Sequence, residues 1–128
     1  MSHSVLIVDD NLSLANLYQI VFERVGWSVR RVSSGQEALD SLGRQVPDVI
    51  LLDVMMPVMD GIEVCRRIRV LRPEMPPCIV IYTANNRPEL RETVLAAGAD
   101  AFVSKNLSVF ELPSHILVYL PNEPPPND

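Results

Sequence analysis

The chain has 128 residues, of which 48% are hydrophobic and 21% are charged, and its net charge is −5. This length and composition predict one globular domain and argue against disorder. The acidic balance disfavours direct binding to DNA or RNA, which requires a basic face. No run approaches the ~18 apolar residues of a membrane span, and no signal peptide is visible. We therefore expect a cytoplasmic protein, with Cys65 and Cys78 as buried free thiols.

Short apolar runs alternate with stretches of helical length along the chain. The apolar runs predict strands at 5–8, 28–32, 49–52, 78–82 and 101–103. The second run contains two arginines, which suits a strand at the edge of a sheet. Helices are predicted at 11–25, 35–42, 61–71 and 88–97, where apolar side chains recur with helical spacing.

The last helix, within 108–120, is predicted to be irregular. Ser108 and Glu111 have capping-box spacing, and Val109, Leu112, Ile116 and Leu120 form an apolar stripe. Pro113 lacks the N–H that an intrahelical bond needs. We expect either a kink or a helix that begins near Pro113. Residues 121–128 are rich in proline and predict a tail or the start of a linker, so that the domain covers residues 1–120.

Strands that are apolar on both faces and alternate with helices indicate a parallel sheet covered on both sides. The predicted fold class is therefore α/β, a doubly wound (βα)5 domain. In such a sheet the carboxyl ends of the strands meet along one edge, called here the carboxyl end of the sheet, where ligands usually bind.

Polar residues follow four of the five strands at that edge: Asp9 and Asp10 after strand 1, Asp53 after strand 3, Thr83 after strand 4 and Lys105 after strand 5. Three converging carboxylates repel one another unless a cation lies between them. Oxygen ligands with room for water suit Mg²⁺. The sequence therefore predicts a magnesium site.

The same residues suit phosphoryl transfer, which needs an aligned nucleophile and positive charge against the phosphoryl oxygens. Asp53 can form an acyl phosphate, Lys105 can pair with a phosphoryl oxygen, and Thr83 can donate a hydrogen bond to another. Each residue also has a structural interpretation. Asp10 or Asn11 could cap the first helix, and the other three could be ordinary strand-end or surface residues. Their joint placement at one edge favours the functional interpretation.

Several motifs resemble the receiver domain of the two-component response-regulator family over residues 4–120. They are the run from Val5 to Asp10, the run from Asp53 to Gly61, Thr83-Ala84, the run from Ala97 to Ala101, and Lys105. The resemblance implies a flavodoxin-like sheet of order 2-1-3-4-5. It also implies phosphotransfer to Asp53 from a histidine kinase or phosphotransfer protein.

The resemblance further implies Mg²⁺ bound by Asp10, Asp53 and the backbone carbonyl of Met55, with Asp9 acting mainly through water. Thr83 and the strand-5 aromatic Phe102 would form the switch. The surface on helix 4, strand 5 and helix 5 would bind partners, a homodimer among them. Such a domain is not an enzyme towards external substrates.

The chain departs from the family pattern after Lys105, where Asn106 replaces the usual proline and its cis peptide bond. A cis bond before a non-proline residue costs ~3–4 kcal/mol, so we predict a trans bond. Met55 and Asn85 flank the predicted site and are expected to set the lifetime of the phosphorylated state.

Two alternatives to phosphorylation-controlled signalling stay open. One is a hydrolase with an aspartyl-phosphate intermediate, although Asn11 stands where such enzymes carry a second acid. The other is a pseudo-receiver, a scaffold that is not phosphorylated.

Overall fold

Five strands form one parallel sheet. A computed structural model describes residues 3–71, 73–74 and 76–120. The strands are β1 Ser4–Val8, β2 Ser28–Val32, β3 Val49–Leu52, β4 Cys78–Thr83 and β5 Ala101–Ser104. Their order is β2-β1-β3-β4-β5, and all neighbouring pairs are parallel. The predicted fold class and strand order are confirmed, with the arginine-containing β2 at one edge.

Helices connect the strands at α1 Leu12–Arg24, α2 Gly35–Leu42, α3 Gly61–Leu71, α4 Pro88–Ala96 and α5 Leu112–Ile116. α1 begins at Asn11, whose side chain accepts a hydrogen bond from the backbone N–H of Leu14. After α1 and α4 the chain turns at Gly26 (φ 93°) and Gly98 (φ 115°), which adopt left-handed conformations. Among the described residues, no helix is long and apolar enough to cross a membrane.

The C-terminal segment follows the second of the two predicted alternatives. A 3₁₀ turn at Val109–Glu111 precedes α5, Pro113 lies in the first turn of that helix, and a second 3₁₀ turn follows at Leu117–Tyr119. The Ser108 hydroxyl accepts from the N–H of Phe110 rather than from that of Glu111, so the predicted capping box is replaced by a tighter turn. The predicted tail, residues 121–128, lies outside the described residues.

The helices cover both faces of the sheet, which confirms the doubly wound arrangement. On one face α2, α3 and α4 pack over alternate strand residues such as Leu6, Ile50 and Ile79. On the other face α1 and α5 pack over the intervening residues, such as Ile7 and Leu51. Because side chains alternate along a strand, one face can be assigned to each residue of the sheet.

Within the predicted helix 11–25, the apolar residues at helical spacing predict a buried stripe wider than the one observed; they are Leu14, Leu17, Tyr18, Val21, Phe22 and Val25. Tyr18, Val21 and Phe22 are buried, but Leu17 is 38% exposed and Val25 is 61% exposed. Both cysteines are buried free thiols as expected, and burial raises the pKa of Cys65 to about 11 and that of Cys78 to about 12.

Candidate functional site

The carboxyl ends of β1 and β3 bring three aspartates together. Val8 and Leu52, the last residues of these neighbouring strands, are register partners, so Asp9 and Asp53 leave the sheet side by side. One carboxylate oxygen from each of Asp9, Asp10 and Asp53 lies within 4.8 Å of the others. We call these three residues the acidic cluster. The predicted convergence of the carboxylates is confirmed.

The acidic cluster is electrostatically unfavourable without a counterion. Burial raises the pKa of Asp9, although the backbone N–H of Asn11 donates a hydrogen bond to its Oδ1 over 2.8 Å. Burial, followed by the charge of Asp9, raises the pKa of Asp53. Both carboxyl groups are thus in surroundings that disfavour their charged forms.

Helix capping does not account for the position of Asp10. Asn11 caps α1 through its side chain, while Asp10 is exposed and contributes its carboxylate to the acidic cluster. The structural interpretation of this pair therefore applies to Asn11 alone.

The loop between β3 and α3 holds the Asp53 backbone close to α3. Val54 and Met56 are buried, whereas the Met55 side chain is 70% exposed. The N–H of Gly61 donates to the Val54 carbonyl over 3.0 Å. A Cβ at position 61 would lie 2.5 Å from the Asp53 carbonyl oxygen, so only glycine fits here without displacement. Gly61 belongs to the motif from Asp53 to Gly61, but the sequence alone gives no sign of this close approach.

Thr83 is the last residue of β4 and is 2% exposed. Its Oγ1 accepts a hydrogen bond from the N–H of Asn85 over 3.2 Å. Since Ile81 is the register partner of Leu52, Thr83 lies just beyond the level of Asp53 on the adjacent strand. The hydroxyl is therefore at the carboxyl end of the sheet, as predicted.

Lys105 follows β5, and its backbone N–H donates to the Thr83 carbonyl over 2.8 Å. Its positive charge acts to lower the pKa of both Asp9 and Asp53, against the larger effect of burial. Among the described residues there is no cis peptide bond, so the predicted trans bond between Lys105 and Asn106 is confirmed.

Phe102 faces away from the acidic cluster. It is half-buried against the face covered by α2, α3 and α4. The guanidinium carbon of Arg91, on α4, lies 5.9 Å from the centroid of the Phe102 ring. This geometry is within the range of a cation–π contact.

The acidic cluster fits a hard divalent cation. It offers three carboxylates, the kind of ligand that Mg²⁺ prefers, and the exposure of Asp10 leaves room for water. A bound cation would also offset the burial and the charge of Asp9, which together raise the pKa of Asp53.

Comparison with known proteins gives a consistent family. The family model described as "Response regulator receiver domain" matches residues 5–117. The transcriptional regulatory protein PhoP of alkaline phosphatase synthesis in Bacillus subtilis is 37% identical over 120 residues, which are 94% of this chain and 49% of PhoP. The response regulator MprA of Mycobacterium bovis is 38% identical over 112 residues, which are 88% of this chain and 48% of MprA. The chain thus spans about half the length of these relatives.

Solved structures show the same architecture. The chemotaxis response regulator CheY4 of Vibrio cholerae superposes with a TM-score of 0.86 at 28% identity, covering 94% of this chain and all of CheY4 (100%). A putative response regulator from Chloroflexus aurantiacus gives 0.85 at 30% identity, covering 93% and 98% of the two chains. With its strand order, its acidic cluster and these matches, the chain belongs to the response regulator receiver domain family of two-component signalling systems.

Proposed function

We propose that this domain accepts a phosphoryl group on Asp53 from the phosphohistidine of a histidine kinase or phosphotransfer protein. The observation that carries the proposal is the position of Asp53, partly buried at the end of a buried strand, within the acidic cluster and close enough to Lys105 to feel its charge. A carboxylate oxygen of Asp53 forms the new P–O bond while the P–N bond of the donor breaks, and the donor imidazole keeps the electron pair and takes up a proton.

The residues of the chain have separate roles in this reaction. Lys105 attracts the phosphoryl oxygens, and the Thr83 hydroxyl donates a hydrogen bond to one of them while its oxygen accepts from the Asn85 N–H. Asp10, Asp53 and the Met55 carbonyl would hold Mg²⁺, with Asp9 acting mainly through water. The bound ion would supply positive charge against the phosphoryl oxygens.

The test uses acetyl phosphate as a small donor and intact mass spectrometry as the readout. The wild-type chain with Mg²⁺ should gain one phosphoryl group, and EDTA should prevent the gain. Asp53→Asn should abolish it, whereas Asp60→Asn should not, because Asp60 caps α3 through its side chain and asparagine caps equally well. Modification of Asp53→Asn, or none in the wild type, would overturn the proposal; the latter result would favour a scaffold.

Mg²⁺ binding is testable without phosphorylation. Asp10→Asn should weaken Mg²⁺ binding about tenfold or more, since it removes a full charge from the acidic cluster. Isothermal titration calorimetry measures this affinity. Equal affinities in the variant and the wild type would exclude Asp10 as a ligand.

We propose that the signal leaves through α4, β5 and α5, with Thr83 and Phe102 as the switch. Next to or following α5, the side chains of Phe110, Leu117 and Val118 are 67%, 43% and 76% exposed, which supports contact with a protein partner or a second copy. Light scattering before and after phosphorylation tests for a homodimer. PhoP is named as a transcriptional regulatory protein, and we propose that the signal of this domain also controls transcription.

The location of the domain, its lack of external substrates and the lifetime of phospho-Asp53 are further proposals. We propose that the domain acts in the cytoplasm and turns over no external substrate, which an assay with simple phosphate esters can check. Met55 and Asn85, both exposed, are proposed to set the rate of phospho-Asp53 hydrolysis. Met55→Ala should speed the loss of phosphate, and an unchanged rate would exclude Met55.

A further inference from the structure

Tyr82 contacts both Lys105 and the loop that follows it. The side chain is 5% exposed at the carboxyl end of β4, directly before Thr83. Its hydroxyl donates a hydrogen bond to the Leu107 carbonyl over 2.8 Å. Its ring centroid lies 5.7 Å from Lys105 Nζ, within cation–π range. A single buried side chain thus joins β4 to the segment that carries Lys105.

Strand register explains why these groups meet. Tyr82 is the partner of Val103 on β5, and Lys105 is two residues beyond Val103, so both side chains lie on the same face of the sheet. Alternation from Ile7 and Leu51, which pack on that face, places Asp9 and Asp53 there as well. The Tyr82 ring is therefore on the same side of the sheet as the groups on which Lys105 acts.

The ring of Tyr82 is itself held in place from α1. The ring of Tyr18 packs edge-on against it, with centroids 5.7 Å apart and planes at 66°. Burial raises the pKa of the Tyr82 hydroxyl, so this group stays a neutral donor to Leu107. These contacts give the Tyr82 ring a fixed position beside the long side chain of Lys105.

The segment after Lys105 needs such a restraint. The N–H groups of Asn106 and Leu107 donate to Ser104, within the same turn, and Asn106 is exposed. These bonds lie within the turn, which is joined to β4 by the Lys105 N–H donating to the Thr83 carbonyl and, beyond Lys105, by the Tyr82 hydroxyl. A lysine side chain has high rotamer entropy, so a contact that confines it increases the time its ammonium group spends beside the acidic cluster.

We propose that Tyr82 is a positioning residue for Lys105, acting through its ring on the ammonium group and through its hydroxyl on the loop. The inference rests on the proposed phosphoryl transfer to Asp53. In this role Tyr82 connects β4 to the loop between β5 and α5.

The test compares Tyr82→Phe, which removes only the hydroxyl, with Tyr82→Leu, which removes the ring. The control is Tyr119→Phe, which removes a hydroxyl in the last 3₁₀ turn. At saturating acetyl phosphate, the rate of Asp53 phosphorylation should fall about fivefold in Tyr82→Phe and about tenfold or more in Tyr82→Leu. The control should match the wild type, and the Mg²⁺ dissociation constant should change less than about twofold in all three variants.

A double-mutant cycle separates positioning from a merely structural role. In a Lys105→Ala background, Tyr82→Phe should have little further effect on the rate, because Tyr82 acts through Lys105. Amide hydrogen exchange at residues 105–108 should be faster in both Tyr82 variants than in the wild type. Additive rate losses, or losses that parallel weaker Mg²⁺ binding, would overturn the inference.

Failure of this inference can be told apart from failure of the proposed function. If the wild type is phosphorylated and both Tyr82 variants react at the wild-type rate, only the role of Tyr82 is overturned. If the wild type accepts no phosphoryl group, both fall together.

Discussion

Charged side chains are paired by hydrogen bonds at the amino end of the β-sheet, whereas carboxylates are crowded together at its carboxyl end. At the amino end, Arg69 donates hydrogen bonds to the carbonyls of Pro77 and Gly98 and to the Asp100 carboxylate, over 2.7, 2.8 and 2.7 Å. Asp100 also accepts from the N–H of Ile79. At the carboxyl end, Asp9 and Asp53 are left with raised pKa values beside a third carboxylate. Paired charges at the amino end hold the starts of β4 and β5, whereas the carboxylates at the carboxyl end lie together in surroundings that disfavour their charged forms.

Arg69→Ala removes the hydrogen bonds at the amino end of the sheet and should have the largest effect on stability. It removes hydrogen bonds from a charged donor to three acceptors, and we expect a loss of about 2–3 kcal/mol in the free energy of unfolding. Urea denaturation measures this value. The matched control is Arg66→Ala, because Arg66 makes an exposed ion pair with Glu63 of 3.7 Å and its loss should cost about 0.5 kcal/mol or less. Equal losses in the two variants would refute the comparison.

Gly61→Ala tests how far the carboxyl end depends on backbone fit. A Cβ there would lie 2.5 Å from the Asp53 carbonyl oxygen and 2.8 Å from Val54 Cα, so the loop must shift. We expect a loss of about 2 kcal/mol in unfolding free energy, together with weaker Mg²⁺ binding. Gly43→Ala is the control, since its Cβ would stand 3.4 Å from the Asp40 carbonyl in helical backbone. A Gly61→Ala protein with wild-type stability and affinity would contradict this view of the loop.

Asp53→Asn removes one charge from the acidic cluster at the carboxyl end of the sheet and should stabilise the protein at pH 7 in EDTA. Because the folded-state pKa values of Asp9 and Asp53 are raised, their contribution to stability is present at low pH and is lost as the pH rises through those values. Removing one charge should raise the free energy of unfolding by about 1 kcal/mol, the interaction of two charges about 4 Å apart in water. Thermal unfolding measures the gain.

Excess Mg²⁺ should reduce or reverse the advantage of Asp53→Asn, since the wild type then binds the ion more tightly. Asp40→Asn, which changes an exposed carboxylate on α2, serves as the control and should leave stability nearly unchanged. A lower melting temperature for Asp53→Asn in EDTA would show that the acidic cluster is not under electrostatic strain.

Val58→Asn should give the smallest effect, a gain of up to about 1 kcal/mol. Val58 lies in the β3–α3 loop with φ 69° and a fully exposed side chain, a conformation that a β-branched residue disfavours and asparagine tolerates. Val70→Asn, on the exposed face of α3, should instead leave the stability nearly unchanged, because valine and asparagine have similar helix propensities. Thermal unfolding of both variants tests whether strain in this loop is separate from the charge of the acidic cluster.

The spacing of apolar residues and the residues that begin or end helices were enough to predict most of the fold. Strand runs apolar on both faces required a covered parallel sheet, and the predicted helices 11–25 and 88–97 begin or end at a cap, Asn11, and at two left-handed glycines, Gly26 and Gly98. The pattern overestimated the buried face of α1, because apolar spacing alone does not show which residues a neighbouring element covers. Leu17 and Val25 share that spacing and are exposed.

The order of strands and polar residues along the chain is enough to place these side chains at the carboxyl end of the sheet, since parallel strands align their ends whatever packs around them. How those groups are held depends on contacts made in the folded protein. The close approach of Gly61 to the Asp53 backbone and the contact of Tyr82 with Lys105 join residues distant along the chain. Such contacts depend on strand register and loop path, which no local pattern of residues encodes.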